Sequence, residues 1–437
     1  MCWFWIPLRQ FMSITTYLKG GRVIDPVNNT DEIKDLYFRN GKITMPPQDD
    51  SETKIKEINV EGKIVFPGLV DLRNHLKNIS GGQAENIKTG TKAAAAGGYT
   101  TILLMPDTDP RADNTGTIQY IQDRILKHAS IKVLLCGCLT KEAKGESLAP
   151  LGSLKENGVV AISDCPRTTQ NNQIFSKGVE YASMFNLPVI DLPRDLSLSD
   201  NGSAHDGPLA LKLGLGGYPR IAEELFVQRA ISVSKTVDTK IHLSSISTFG
   251  SVEMIKEAKK QNIKISADVT AHHLTLNETS INDYNPNFKT SPPIREEVDR
   301  IALIKGLNDG TIDCVCSAHQ PFQEHEKNVE YDLAPSGVTG FETALSVCYN
   351  TLIKENSFSW IRLISLMSSN PPVILGEKSD QLTDGNYANI TIFDPKLKWN
   401  YSEQNRETEA SNSPFADKNF TGKITKTFYR GEEVYSF

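Results

Sequence analysis

The chain is 437 residues long, enough for two or three domains or for one barrel of about 250 residues with an added domain. Apolar residues at 39%, charged residues at 23%, 30 glycines and 22 prolines describe an ordinary globular protein and exclude disorder, collagen, coiled coil and a small disulfide scaffold. Lys and Arg number 47 against 53 Asp and Glu; the net charge of −6 and the lack of any basic tract make nucleic acid and membrane surfaces poor partners. In chain order, residues 1–8 are apolar but carry no positive leader and are too short to span a bilayer, so Met12 is expected to be the natural start. Seven scattered cysteines read as reduced thiols of a cytoplasmic protein.

From residue 66 onward, β-rich runs alternate with helical patterns. Strands are predicted at 69–72, 99–105, 132–138, 158–163, 188–191, 240–244, 263–269 and 313–317, and helices at 85–96, 115–128, 173–185, 219–234, 251–261 and 297–307. Eight strands so interleaved predict an α/β fold, a (β/α)8 TIM barrel over 66–375. A doubly wound sheet is the structural alternative, but no Gly-rich dinucleotide fingerprint follows the first strand. The flanks, 12–65 and 376–437, are short alternating strands punctuated by turn residues such as Asn40-Gly41 and Asp394-Pro395. They are expected to form one small β-sandwich domain from both chain ends. Residues 403–418 are polar and read as a mobile loop.

Several segments then carry a resemblance: Phe66-Pro67-Gly68-Leu69-Val70-Asp71-Leu72, the four alanines before Gly97-Gly98, Met105-Pro106, His272-His273-Leu274, Pro292-Pro293-Ile294-Arg295, Gly340-Phe341-Glu342-Thr343-Ala344 and Asn370-Pro371-Pro372. In this order and spacing the chain resembles the cyclic amidohydrolases of the metal-dependent amidohydrolase superfamily, specifically dihydroorotase. The resemblance implies zinc at the C-terminal strand ends, a metal-bound water and a carboxylate that takes its proton before attack on a ring amide.

The ligands that the resemblance implies are mostly replaced. The family's His-x-His pair at the end of the first strand is Arg73-Asn74-His75, and a guanidinium cannot ligate zinc. The bridging carboxylate falls in Ser163-Asp164-Cys165, where only Asp164 has one. Leu192 stands for one histidine, Ser245 for another, and Ala318 for the aspartate that is both ligand and general base. Only His75 and Asp164 remain able to bind metal, so no cofactor is expected, with zinc the expectation if the site has been rebuilt. Substrate-contacting positions are altered as well: Lys77, Asp107 and Ser291 replace the family's arginine and two asparagines, Phe322 replaces a histidine, and Arg295 remains.

Blander assignments compete with these. His272, His273, His242 and His319 read as hydrogen-bonded or framework histidines, and Cys136, Cys138, Cys314 and Cys316 as core thiols rather than a metal site of four thiolates. Arg73 is expected to pair with Asp164 or Asp107, its charge standing in for a metal. Three functions remain. The first is a non-catalytic homologue resembling the subunits that support aspartate carbamoyltransferase in pyrimidine biosynthesis. The second is an active cyclic amidohydrolase with a rebuilt site. The third is a binder of a carboxylated pyrimidine intermediate through Lys77 and Arg295. A second copy of the chain is a further partner to consider.

Overall fold

The computed structural model describes residues 14–47, 55–79, 84–199 and 202–437; Met12 and the residues before it lie outside this range. Eight parallel strands form the expected barrel: β1 (Leu69–Asn74), β2 (Tyr99–Leu104), β3 (Lys132–Cys138), β4 (Val159–Ser163), β5 (Val189–Asp191), β6 (Ile241–Leu243), β7 (Ile265–Thr270) and β8 (Cys314–Cys316). They neighbour one another in sequence order, as right-handed β-α-β crossovers require. The ring is closed by a bridge between Asn74 and His319, where the His75 N–H donates to the His319 carbonyl at 2.8 Å.

A helix follows each strand: α1 (Ile87–Ala96), α2 (Thr115–His128), α3 (Leu151–Glu156), α4 (Asn172–Ser183), α5 (Ile221–Val237), α6 (Phe249–Lys260), α7 (Glu297–Asp309) and α8 (Phe341–Cys348). Sequence chemistry fixes their starts. Asn86 caps α1 in a reciprocal capping box with Thr89, Asn114 caps α2, Asn171 caps α4 and Thr248 caps α6. The alanines Ala93–Ala96 let α1 lie close on the barrel, buried to 2% exposure or less. Gly340 permits a close approach: any Cβ there would run into the Ser317 carbonyl, so α8 starts directly against the end of β8.

Strands from both chain ends make a separate mixed sheet, in the order Glu432–Ser436, Asn419–Tyr429, Ile390–Asn400, Ile64–Pro67, Thr15–Asp25, Thr30–Arg39 and Lys42–Thr44. Its strand Thr15–Asp25 is shared. Residues 15–19 pair with Ile55–Asn59, and after a bulge Arg22 and Val23 pair with Ile64 and Val65. That split folds the sheet around Leu18, Val23, Phe38, Ile43, Val60, Ile390 and Phe428.

The segment 403–418 departs from expectation. Thr408, Ala410, Asn412, Ser413 and Phe415 are buried. Asn412 donates to the Gln320 and Gly337 carbonyls and accepts from the Phe322 N–H at 2.9 Å. A polar composition here serves buried hydrogen bonds to the loop after β8, so the segment is a strap across that side of the barrel mouth. Among the described residues no helix is long and apolar enough to cross a membrane.

Candidate active site at the barrel mouth

Arg73 and His75, two residues apart at the end of β1, face the barrel interior, whereas a register shift between Asp71 and Asn74 puts Asp71 on the side of Asn74, whose Nδ2 donates to it at 3.2 Å. Asp71 accepts the Ser317 N–H at 2.6 Å, and burial, partly offset by that bond, raises its pKa to about 6. The Arg73 guanidinium, 4% exposed, turns into the mouth. Its Nη1 donates to the Ser245 Oγ, its Nη2 to the Ser291 carbonyl at 3.2 Å, and its Nε to the His75 Nε2 at 3.4 Å. Burial works against this charge, but the nearby Cys165, Cys316, Asp268 and Asp107 outweigh it and raise its pKa.

The expected direct ion pair of Arg73 with Asp164 or Asp107 is corrected by the geometry. Asp164 is taken by Thr140, whose N–H and Oγ1 donate at 3.0 and 2.7 Å, and by the Thr169 Oγ1 at 2.7 Å. Asp107 accepts from the His75 Nδ1 at 2.9 Å, both side chains being buried. Asp164 is held by the two threonines and the Asp107 Oδ1 by His75, so Arg73 turns to neutral acceptors and feels the acids only through space. Burial also lowers the His75 pKa despite Asp107. The ring is therefore a neutral imidazole with Nδ1–H donated to Asp107 and the Nε2 lone pair turned to Arg73.

The other positions follow. Leu192 packs with Cys136, Cys165 and Ile190, presenting only alkyl surface. Ser245 and Ala318, at the ends of β6 and β8, both hold left-handed backbone, with φ of 58° and 50°, a strained conformation that clusters at functional sites. The Lys77 Nζ lies 5.3 Å from the Phe322 ring centroid, and the Ser291 Oγ meets the Arg194 Nη1 at 3.3 Å. The Asp107 Oδ2 is buried with no hydrogen-bond partner. Arg295, at 2% exposure, donates to the Ser247 Oγ, the Tyr218 carbonyl and the His205 Nδ1.

Carboxylates that sequence proximity did not suggest find two of the histidines. His319 Nε2 meets Glu85 at 2.9 Å, and His242 Nε2 meets Asp268 at 2.9 Å. Asp268 also accepts from the Ser245 N–H at 2.6 Å, the Ser244 Oγ at 3.1 Å and the Cys316 Sγ at 3.1 Å. An acid inside an apolar strand was the signal for Asp268; Glu85 had none. His273 donates through Nε2 to the Pro293 carbonyl and lies against His272 with the rings tilted by 39°, as framework residues do.

Glu342, in α8, closes the network to the strap by accepting the Glu407 and Thr408 N–H groups at 2.9 and 3.0 Å. Burial pushes its pKa up to about 7. A carboxyl so raised stabilises the fold fully below its ordinary value of 4.5, and that contribution is lost as pH rises through 7. Stability is therefore expected to fall between about pH 4.5 and 7 by on the order of 3 kcal/mol from this group. Denaturant titrations of Glu342→Gln should lose that slope; a wild-type profile retained in the variant would assign it elsewhere.

Among the described residues one group of three ligand-capable side chains converges, His205, Glu278 and Glu296. Arg295 donates to the His205 Nδ1, which leaves the proton on Nε2, the nitrogen facing Glu296 at 3.5 Å, while Arg220 already neutralises Glu296. His205 and Glu296 are thus already engaged by Arg295 and Arg220. The six described cysteines are free and buried.

Known proteins bear on this geometry. A family model described as dihydro-orotase-like matches residues 62–251, and one described as the amidohydrolase family matches 223–434. Dihydroorotase of Endomicrobium trichonymphae is 39% identical over 96% of this chain and 99% of its own length. That of Elusimicrobium minutum is 38% identical over 95% and 96%. In fold, L-hydantoinase of Arthrobacter aurescens matches with a TM-score of 0.85 at 19% identity, covering 96% of each chain.

The expectation that no cofactor is involved is overturned by these relatives: dihydroorotases and hydantoinases are metal-dependent amidohydrolases, so zinc is the ion the family implies. The mouth does not fit that ion in the relatives' manner. A cationic guanidinium lies between the strand ends, the His75 Nε2 faces it, Asp164 is fully hydrogen-bonded, and Leu192, Ser245 and Ala318 offer neither imidazole nor carboxylate.

Proposed function

The chain belongs to the dihydroorotase-like amidohydrolases, and from that premise we propose that it serves pyrimidine biosynthesis as a cytoplasmic, non-hydrolysing member. The observation that carries this reading is the Arg73 guanidinium, bonded to Ser245, Ser291 and His75 where strand ends should hold an activated water. Ring-amide hydrolysis needs a proton acceptor beside the attacking water. At the end of β8 that place has the methyl group of Ala318, and the neutral His75 has its remaining lone pair turned to a cation. Arg73, His75, Asp107, Asp164, Leu192, Ser245 and Ala318 are all buried. A barrel of this kind keeps its scaffold for assembly, and aspartate carbamoyltransferase is the partner we propose for it.

A second reading, an active dihydroorotase with a rebuilt centre, is favoured by the names of the relatives, which match over nearly the whole chain. Ring opening of dihydroorotate, measured with zinc added, separates the two. We expect no rate above background; turnover that rises with zinc would establish the second reading. Size-exclusion chromatography with aspartate carbamoyltransferase tests the partnership separately, with co-elution expected and independent migration removing that part alone.

A further inference from the structure

Residues 403–418 are fastened at two places by different chemistry. At one, the neutral side-chain amide of Asn412 is bonded to the Gln320 and Gly337 carbonyls and to the Phe322 N–H. At the other, two buried carboxylates from separate elements grip a single buried residue, Thr408. Glu342 of α8 accepts the Thr408 N–H at 3.0 Å and the Glu407 N–H at 2.9 Å. Glu85, just before α1, accepts the Thr408 Oγ1 on one oxygen and meets the His319 Nε2 with the other. The rest of this half is loose: Glu403, Gln404, Asn405, Glu407 and Glu409 are exposed, and cavities of about 730 and 510 Å³ border it at Glu403, Arg406 and Ser411. We propose that residues 403–409 form a pH-operated latch, held shut by Thr408 on the two carboxylates and anchored behind by Asn412, that opens and closes over the Glu85–His319 pair beyond β8.

The groups that face Glu342 set the direction. Burial opposes its ionisation most strongly, and the neighbouring Glu85 adds to that. The two backbone donors favour ionisation, as does Lys423, which acts through space from over the Trp399 ring, 3.7 Å from its centroid. Tyr401, beside Arg406, and Tyr435, beside Glu407, also face it. The balance leaves the Glu342 pKa at about 7 while the latch is shut. Once Thr408 is released the carboxyl meets water and returns towards its ordinary 4.5, so the shut state binds a proton that the open state gives up. Rising pH therefore favours opening. With these two values the ratio of shut to open falls about ten-fold between pH 6 and pH 8. The Asn412 amide and its backbone partners do not titrate, so that anchor holds throughout.

Hydrogen–deuterium exchange of the full chain, read by mass spectrometry and normalised at each pH to the intrinsic chemical rate, tests it. Amides of 403–409 are expected to exchange about ten-fold faster at pH 8 than at pH 6, while those of 412–418 stay unchanged. Glu342→Gln should abolish the pH dependence, because a neutral amide in that place does not titrate. Thr408→Val should speed exchange of 403–409 at both pH values, since it removes the hydroxyl bond to Glu85. Should Glu342→Gln fail to fold, Glu85→Gln is expected to move the transition to lower pH, the like charge being gone. Flat exchange in the wild type, a rise that 412–418 share, or a wild-type response retained in Glu342→Gln overturns the proposal. So does unaltered exchange in Thr408→Val or an unmoved transition in Glu85→Gln.

Discussion

Arg73→Ala is expected to lower the unfolding free energy by about 3 kcal/mol, the scale on which removing one member of a buried charged network acts. The side chain serves three acceptors at once, the Ser245 Oγ, the Ser291 carbonyl and the His75 Nε2, and all three would lose their donor. It also interacts through space with two buried acids to which it is not bonded, Asp107 and Asp268. Arg73→Lys separates the two contributions. An ammonium retains the charge but lacks the planar fork that reaches three directions, so about half of the loss should return. Urea titrations of both variants measure this. A loss below about 1 kcal/mol in Arg73→Ala would mean that the guanidinium is incidental to the fold.

Restoring the two most conspicuous losses, Arg73→His with Ala318→Asp, is expected to leave ring opening of dihydroorotate at background even with zinc present. The double variant would regain one imidazole and one carboxylate, but Leu192 and Ser245 still stand where the resemblance expects histidines, and Asp164 remains tied to Thr140 and Thr169. Catalytic groups that act as a unit are strongly non-additive, so a partial set returns almost none of the rate. The substrate side is unrepaired as well, with Lys77 held over Phe322 and Arg295 buried against Tyr218 and Ser247. Measurable turnover in this variant would show that two residues suffice, and the non-hydrolysing reading would fail with it.

The barrel could be read from sequence because its signals are local. Apolar strands recur with helical patterns between them. The replaced positions were likewise plain from Arg73, Leu192, Ser245 and Ala318, since residue type alone decides whether a side chain can hold a metal. The pairing of charges was not local. Sequence suggested Arg73 beside Asp164 or Asp107, yet Thr140 reaches Asp164 from 24 residues away and His75 takes Asp107 across β1 and β2. Glu85 meets His319 across 234 residues. The polar segment 403–418 read as mobile because its partners, the backbone groups after β8, were invisible in its own composition. A buried carboxylate must be satisfied by whichever donor closure of the barrel brings within about 3 Å. Composition determined which groups this protein owns, and the closed barrel decided which of them meet.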